Sequence, residues 1–141
     1  SYGMEIAALD SDTEAINLNA LVSRHSSAFD AVVYVGGVTT LPGQKTNWYN
    51  VNTGLLMDFN LQWDTSEPSN GGGNEQCLSI LPNKGYNDIG CSGSVYYKFI
   101  CQRSKAPVNY TRENGFLKKS LNLFKFYSKH NNFELRSNTI S

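Results

Sequence analysis

The stretch of sequence that decides the fold is residues 60–91, NLQWDTSEPSNGGGNEQCLSILPNKGYNDIGC. Residues 60–73 have neither helical nor strand periodicity and are rich in Gly, Asn and Ser. A loop of this length inside a compact domain is usually functional. A strand over Cys77–Leu81 follows it, and the turn at residues 82–85 and the segment 86–91 lead to a further strand at residues 96–101.

Four oxygen-bearing side chains lie beside glycines or turns in this stretch, namely Glu67, Glu75, Asn87 and Asp88. Calcium prefers carboxylate, amide and carbonyl oxygens, whereas zinc prefers nitrogen and sulfur ligands. As a group, the four side chains therefore indicate a calcium site. Taken singly, each has an ordinary surface interpretation, since acidic loop residues and Asn-Asp turn pairs are common.

The motifs WDTSEPS (residues 63–69), NEQC (74–77), YNDIGC (86–91) and FIC (99–101) closely resemble the signature of the C-type lectin family. The resemblance covers residues 2–102. It implies an α+β, C-type lectin-like fold with small antiparallel sheets, a helix and a long calcium-binding loop region. It also implies a disulfide between Cys77 and Cys91, a Ca²⁺ ion held by Glu67, Glu75, Asn87 and Asp88, and a carbohydrate site formed by these residues with Ser69.

The function that the resemblance implies is calcium-dependent binding of glycans or glycoproteins by a secreted, non-enzymatic protein. Glu67 in the first motif position implies a preference for mannose- or fucose-type sugars over galactose. The resemblance also implies that Pro68 follows a cis peptide bond. A glycosidase pair of Glu67 and Glu75 is disfavoured because the surrounding amides and glycines fit calcium better. His25 beside two serines has no matching acid for a hydrolase.

Four positions make three departures from the family pattern. Ser69 replaces an Asn that supplies both a calcium ligand and a sugar donor, and Tyr86 replaces a Trp. Asn70 and Gln76 stand where acidic ligands of an auxiliary calcium often occur, so that second site should be weak or absent. The alternative function is therefore a C-type lectin-like module that binds proteins, with weak or no calcium and sugar binding.

The cysteine count is odd, because Cys77 and Cys91 leave Cys101 over. An odd cysteine in a secreted chain has a partner elsewhere or is a free thiol. The family's N-terminal strand and first helix, which carry the partner of Cys101, have no counterpart in this sequence. We therefore expect residues 1–102 to be a C-type lectin-like domain that lacks its N-terminal part.

The charges divide the chain in two: residues 1–102 carry a net charge of −6 and residues 103–141 carry +6. An acidic domain argues against nucleic acid binding, and no apolar run is long enough to span a membrane. The segment 103–141 is predicted to be a basic, disordered extension, with a basic amphipathic helix as the alternative. Its sequon makes Asn109 a possible glycosylation site.

The remaining elements follow from local patterns. Ser11 and Glu14 form a capping box, and the apolar spacing after them predicts a helix over residues 12–24. Strands are predicted at residues 4–9, 31–35 and 48–51.

Overall fold

A computed structural model describes residues 3–29, 32–92 and 98–104 with their side chains, and the backbone of four strands within residues 105–141. The elements in chain order are β1 (Met4–Ile6), α1 (Asp12–Arg24), a 3-10 turn (Ser26–Ala28), β2 (Val33–Thr39), β3 (Trp48–Asn50), β4 (Cys77–Leu81), β5 (Gly85–Ile89), β6 (Lys98–Arg103), β7 (Arg112–Glu113), β8 (Phe116–Leu117), β9 (Leu123–Tyr127) and β10 (Asn132–Arg136). The α+β class is therefore confirmed, and the architecture is compatible with a C-type lectin-like fold.

Helix α1 begins where the sequence predicts it. The Glu14 amide donates to the Ser11 hydroxyl (3.2 Å), so Ser11 is the N-cap. The Glu14 carboxylate accepts from the Asp10 amide (2.9 Å), one residue before the Ser11 amide that the capping box predicts as its donor.

One mixed sheet organises the molecule. Its main path is β10-β9-β6-β2-β4-β5, with β1 paired to β6 and β3 paired to β2. All of its pairs are antiparallel except β2 with β6, which run parallel. The register of β2 on β4 shifts between Tyr34 and Val38, at the Gly36-Gly37 pair. A side chain at Gly37 would come within 2.8 Å of Leu78, so only glycine fits at this irregularity.

The core lies between α1 and the sheet. Its largest fully buried side chains are Trp48, Tyr86, Leu18, Leu78 and Ile80. Each buried side chain of this size contributes about 1.5–3 kcal/mol relative to exposure. Because Tyr86 belongs to β5, the core fixes the strand that carries Asn87 and Asp88.

The predicted elements differ from the observed ones mainly at their ends. β1 stops at Ile6, and β2 runs to Thr39, past the predicted end at residue 35. The predicted strand at residues 96–101 is β6, and residues 96 and 97 lie outside the described residues. Within the described residues, the structure contains no helix with the length and apolar character needed to cross a membrane.

The C-terminal segment contributes backbone strands to the sheet. β9 pairs with β6 through Phe99 to Gln102, and β10 pairs with β9. The alternative prediction of an amphipathic helix is therefore wrong at residues 123–127, where an aromatic-rich run favours a strand. Most of the rest of residues 103–141, including Asn109, lies outside the described residues. The predictions of a disordered extension and of glycosylation at Asn109 remain predictions.

Candidate functional site

The long loop is fastened to β5 by backbone hydrogen bonds. The Tyr86 amide donates to the Gln62 carbonyl (2.8 Å), and the Asp64 amide donates to the Tyr86 carbonyl (2.9 Å). These two bonds form a short parallel bridge between Trp63 and Tyr86. The bridge places the start of the WDTSEPS motif beside the strand that carries Asn87 and Asp88.

Asp88 is the centre of the site. Its side chain is buried, with 1% of its surface exposed. One carboxylate oxygen, Oδ1, accepts from the Ser69 amide (2.9 Å), and Oδ2 accepts from the Asn70 amide (2.8 Å). A buried carboxylate requires such donors, because an unpaired buried charge is costly. Asp88 therefore holds the turn after Pro68 against β5.

Glu67 lies next to Asp88. Its Oε2 accepts from the Ser69 amide (2.9 Å), the same amide that donates to Asp88. Burial raises the pKa of the Glu67 carboxyl, and a hydrogen bond to Asp88 and the charge of Asp88 raise it further, whereas bonds from Ser69 oppose the shift. Two carboxyl groups that share one donor repel each other when both are ionised. Such a pair is suited to a bound cation.

Glu75 reaches the same turn from the other end of the loop. Its Oε2 accepts from the Gly71 amide (2.5 Å), and its own amide donates to the Asn70 side-chain oxygen (3.2 Å). Asn70 has a positive φ of 49°, which Asn adopts more readily than most residues. Asn70 thus links Glu75 to Asp88, a role that the sequence interpretation missed.

Asn87 is turned toward its own strand pair. Its Nδ2 donates to the Ser79 hydroxyl (3.2 Å) and to the Asp88 carbonyl (2.6 Å). In the described part of the chain, no three acidic, histidine or cysteine side chains come together as a cation-binding group. The structure therefore brings Glu67 and Asp88 together, with Glu75 bonded to the turn at Gly71 and the Asn87 amide nitrogen bonded to Ser79 and Asp88. Whether these residues are ligands stays a prediction.

The donor set fits calcium chemically but does not converge fully. Carboxylate and amide oxygens are available, and the acidic pair of Glu67 and Asp88 is already in contact. Glu75 holds its Oε2 in a hydrogen bond from the Gly71 amide, whereas Asn87 bonds internally through its Nδ2 and not through its side-chain oxygen.

The fold accommodates Tyr86 at the position where the C-type lectin motif has a Trp. It is fully buried, and its hydroxyl donates to the Ala15 carbonyl of α1 (2.8 Å). Burial raises the pKa of the Tyr86 hydroxyl, which keeps it neutral and able to donate. The residue thereby ties the strand that bears Asn87 and Asp88 to the helix. Trp63 is half-buried, and its ring centroid lies 5.4 Å from that of the buried Trp48.

The disulfide prediction is confirmed. Cys77 and Cys91 are bonded, with their Cα atoms 5.1 Å apart. Cys101 is a half-buried free cysteine, and burial raises the pKa of its thiol. The peptide bond between Glu67 and Pro68 is cis, as the sequence interpretation expects.

Comparison with known proteins yields a distant relative. The chain is 27% identical over 84 residues to Collectin-10 of Xenopus tropicalis, a match that covers 60% of this chain and 29% of the relative. The chain thus spans less than a third of that relative's length. No family model and no solved structure matches the chain. The similarity to a C-type lectin family member agrees with the motif resemblance.

Proposed function

We propose that this chain is a secreted lectin domain that binds carbohydrate through a Ca²⁺ ion held by Glu67, Glu75, Asn87 and Asp88. The observation that carries the proposal is the contact of the Glu67 and Asp88 carboxyl groups around one shared amide, that of Ser69. Two segments distant in sequence meet there in an acidic pair. The distant similarity to Collectin-10 supports the same ligand class, and the disulfide suits an oxidising extracellular compartment.

Different residues would bind the sugar and position the loop in such a site. A bound calcium ion would accept two neighbouring sugar hydroxyls as ligands. Glu67 and Glu75 would accept hydrogen bonds from those hydroxyls, and such charge-assisted bonds are the stronger kind. Asp88 keeps the turn after Pro68 in place through the Ser69 and Asn70 amides. Glu67 at the first motif position supports mannose- or fucose-type sugars as ligands.

A protein-binding module is the second candidate function. The hydrogen bonds of Asn87 favour it, because its Nδ2 donates to the Asp88 carbonyl and so engages a backbone oxygen beside the predicted ligands. In that case the acidic loop serves as a polar contact surface for another protein, and it binds calcium weakly or not at all.

Calcium is expected to stabilise the fold and so to separate the two functions. A ligand at about 100 times its dissociation constant adds about 2.7 kcal/mol to stability, which raises the melting temperature of a domain of this size by roughly 10 °C. Thermal melts at pH 7 with millimolar calcium and with chelator measure the difference. Identical melting temperatures would contradict the calcium proposal and favour the protein-binding module.

At pH 4.5, the melting temperatures with calcium and with chelator should differ by less than they do at pH 7. Because the folded-state pKa of Glu67 is raised, this carboxyl binds a proton more readily in the calcium-free fold than in the unfolded chain, and its contribution to stability rises as pH falls. The proton also competes with calcium for the same carboxylate.

Ser69→Asn is expected to tighten mannose binding roughly tenfold or more. Ser69 is exposed, and its hydroxyl is too short to reach an ion and a sugar hydroxyl at once. An added charge-assisted bond is worth about 1.5–3 kcal/mol, and each 1.4 kcal/mol corresponds to about tenfold in affinity. Calorimetry with mannose in saturating calcium measures the change. Ser66→Asn, the same exchange at an exposed position of the same loop, is the matched control and should leave the affinity unaltered.

A further inference from the structure

A half-open cavity of about 610 Å³ lies outside the acidic site, between residues 45–47 and a wall formed by residues 56–61 and Trp63. Its volume falls in the range of small-molecule sites, about 300–1,000 Å³. None of the five predicted sugar-binding residues lines it.

The lining combines an apolar wall with exposed polar side chains. The apolar part includes the half-buried rings of Phe59 and Trp63. The polar part includes Lys45, Asp58 and Asn60, which are all exposed. No hydrogen bond or ion pair joins the side chains of Lys45 and Asp58 to the residues that the structure describes. A cation donor and an anion acceptor thus line the cavity with no partner among the described residues.

This combination discriminates among ligand classes. A purely apolar ligand would strip water from Lys45 and Asp58 without replacing their hydrogen bonds, which is costly. A small ion would make no use of the Phe59 and Trp63 rings. A sugar ring has hydroxyl groups that both donate and accept, and it has C–H faces that pack on aromatic rings.

We propose that this cavity is a second carbohydrate subsite, independent of calcium, that takes a pyranose ring of an oligosaccharide. The ligand class rests on the proposed function, but the cavity needs no metal, so the two can fail separately. The subsite borders the first one along the chain. Trp63 begins the motif that contains Glu67, and the loop that supplies Lys45 approaches Asn70 through Gly43, where a side-chain carbon would lie 3.2 Å from the Asn70 Cβ.

The two tryptophans allow a direct test on the full chain. Trp48 is buried, and its indole N–H donates to the Gln44 carbonyl (2.9 Å), whereas the Trp63 ring lines the cavity. The probe is an α-linked mannobiose, added to protein labelled with ¹⁵N at tryptophan, in the presence of chelator. We expect a saturable shift of the Trp63 indole signal that exceeds the shift of Trp48. Trp63→Phe assigns the two signals.

Two variants locate the binding groups. Lys45→Ala and Asp58→Ala should each weaken mannobiose binding about fivefold, since each removes one net hydrogen bond of about 1 kcal/mol. Lys84→Ala and Asp12→Ala remove exposed charges outside the cavity and are the matched controls. The spectrum of each variant reports whether it is folded, and both positions are exposed enough to tolerate the change.

The outcomes are distinct. The subsite is supported if the Trp63 signal shifts in chelator and the cavity variants weaken that shift. If calcium also has no effect on the melting temperature, the subsite is retained and the calcium site is rejected. A shift that occurs only with calcium would overturn the subsite. So would the absence of a shift, or a shift that the cavity and control variants alter equally.

Discussion

Asp88→Asn is expected to abolish calcium binding and to lower the free energy of unfolding by about 2 kcal/mol. The Asp88 carboxylate is buried and accepts from the amides of Ser69 and Asn70. An asparagine side chain offers one oxygen and one NH₂ group, so one of those amides would face a donor. Hydrogen bonds to charged groups are worth about 1.5–3 kcal/mol each. One such bond is lost and the other becomes a neutral one.

A competing effect has the opposite sign. Removing the charge of Asp88 also relieves its repulsion with Glu67, whose pKa is raised in part by that charge. Glu67 is half-exposed, so solvent and salt screen this repulsion. The loss of the buried hydrogen bonds therefore dominates.

The measurements for Asp88→Asn are urea unfolding in chelator and calcium titration by calorimetry. Asp12→Asn is the matched control: its carboxylate is exposed in the first turn of α1 and, among the described residues, accepts from the neighbouring Thr13 amide alone. It should cost less than about 1 kcal/mol and leave calcium binding unchanged. If Asp88→Asn still binds calcium with the affinity of the parent, the ion does not sit at this carboxylate.

The sequence predicts those parts of the fold that local patterns determine. Helix α1 occupies the predicted residues 12–24, because its cap at Ser11 and its apolar spacing agree. The disulfide between Cys77 and Cys91 was implied by the family resemblance and is present. Both features depend on residues close in sequence or on a specific motif.

Features that depend on tertiary pairing could not be predicted. The parallel pairing of β2 with β6 and the addition of β9 to β6 join segments far apart in the chain. No local pattern determines such register. In the site, the sequence named the acidic residues, but it could not show that the Asn70 side chain holds the Glu75 amide or that Asn87 bonds within its own strand pair. Those partners are set by how the loop folds back on β5.

Gly85→Ala is expected to destabilise the fold by about 3 kcal/mol or more. A side-chain carbon at Gly85 would lie 2.5 Å from the Gln62 carbonyl oxygen and 2.9 Å from the Asp64 amide nitrogen. These are backbone atoms, which cannot rotate away as a flexible side chain can. Overpacking of this kind typically costs about 1–3 kcal/mol and sometimes more. Here the loop must also move off β5, so the two hydrogen bonds between Tyr86 and residues 62 and 64 are strained or lost.

The same displacement should separate the two carboxyl groups of the candidate site. The loop segment that is hydrogen-bonded to Tyr86 continues from Trp63 to Glu67, whereas Asp88 stays on β5. We therefore expect Gly85→Ala to weaken calcium binding even in the fraction that remains folded. Gly72→Ala is the matched control: it lies in the same loop region, has an ordinary φ, and a side chain there meets nothing within 4 Å. It should change stability by less than about 0.5 kcal/mol.

Urea unfolding and calcium calorimetry on both variants measure the changes in stability and in calcium affinity. Equal stability of the two variants would mean that the loop is not clamped to β5 through the close approach at Gly85, and the contact between Glu67 and Asp88 would then need another cause.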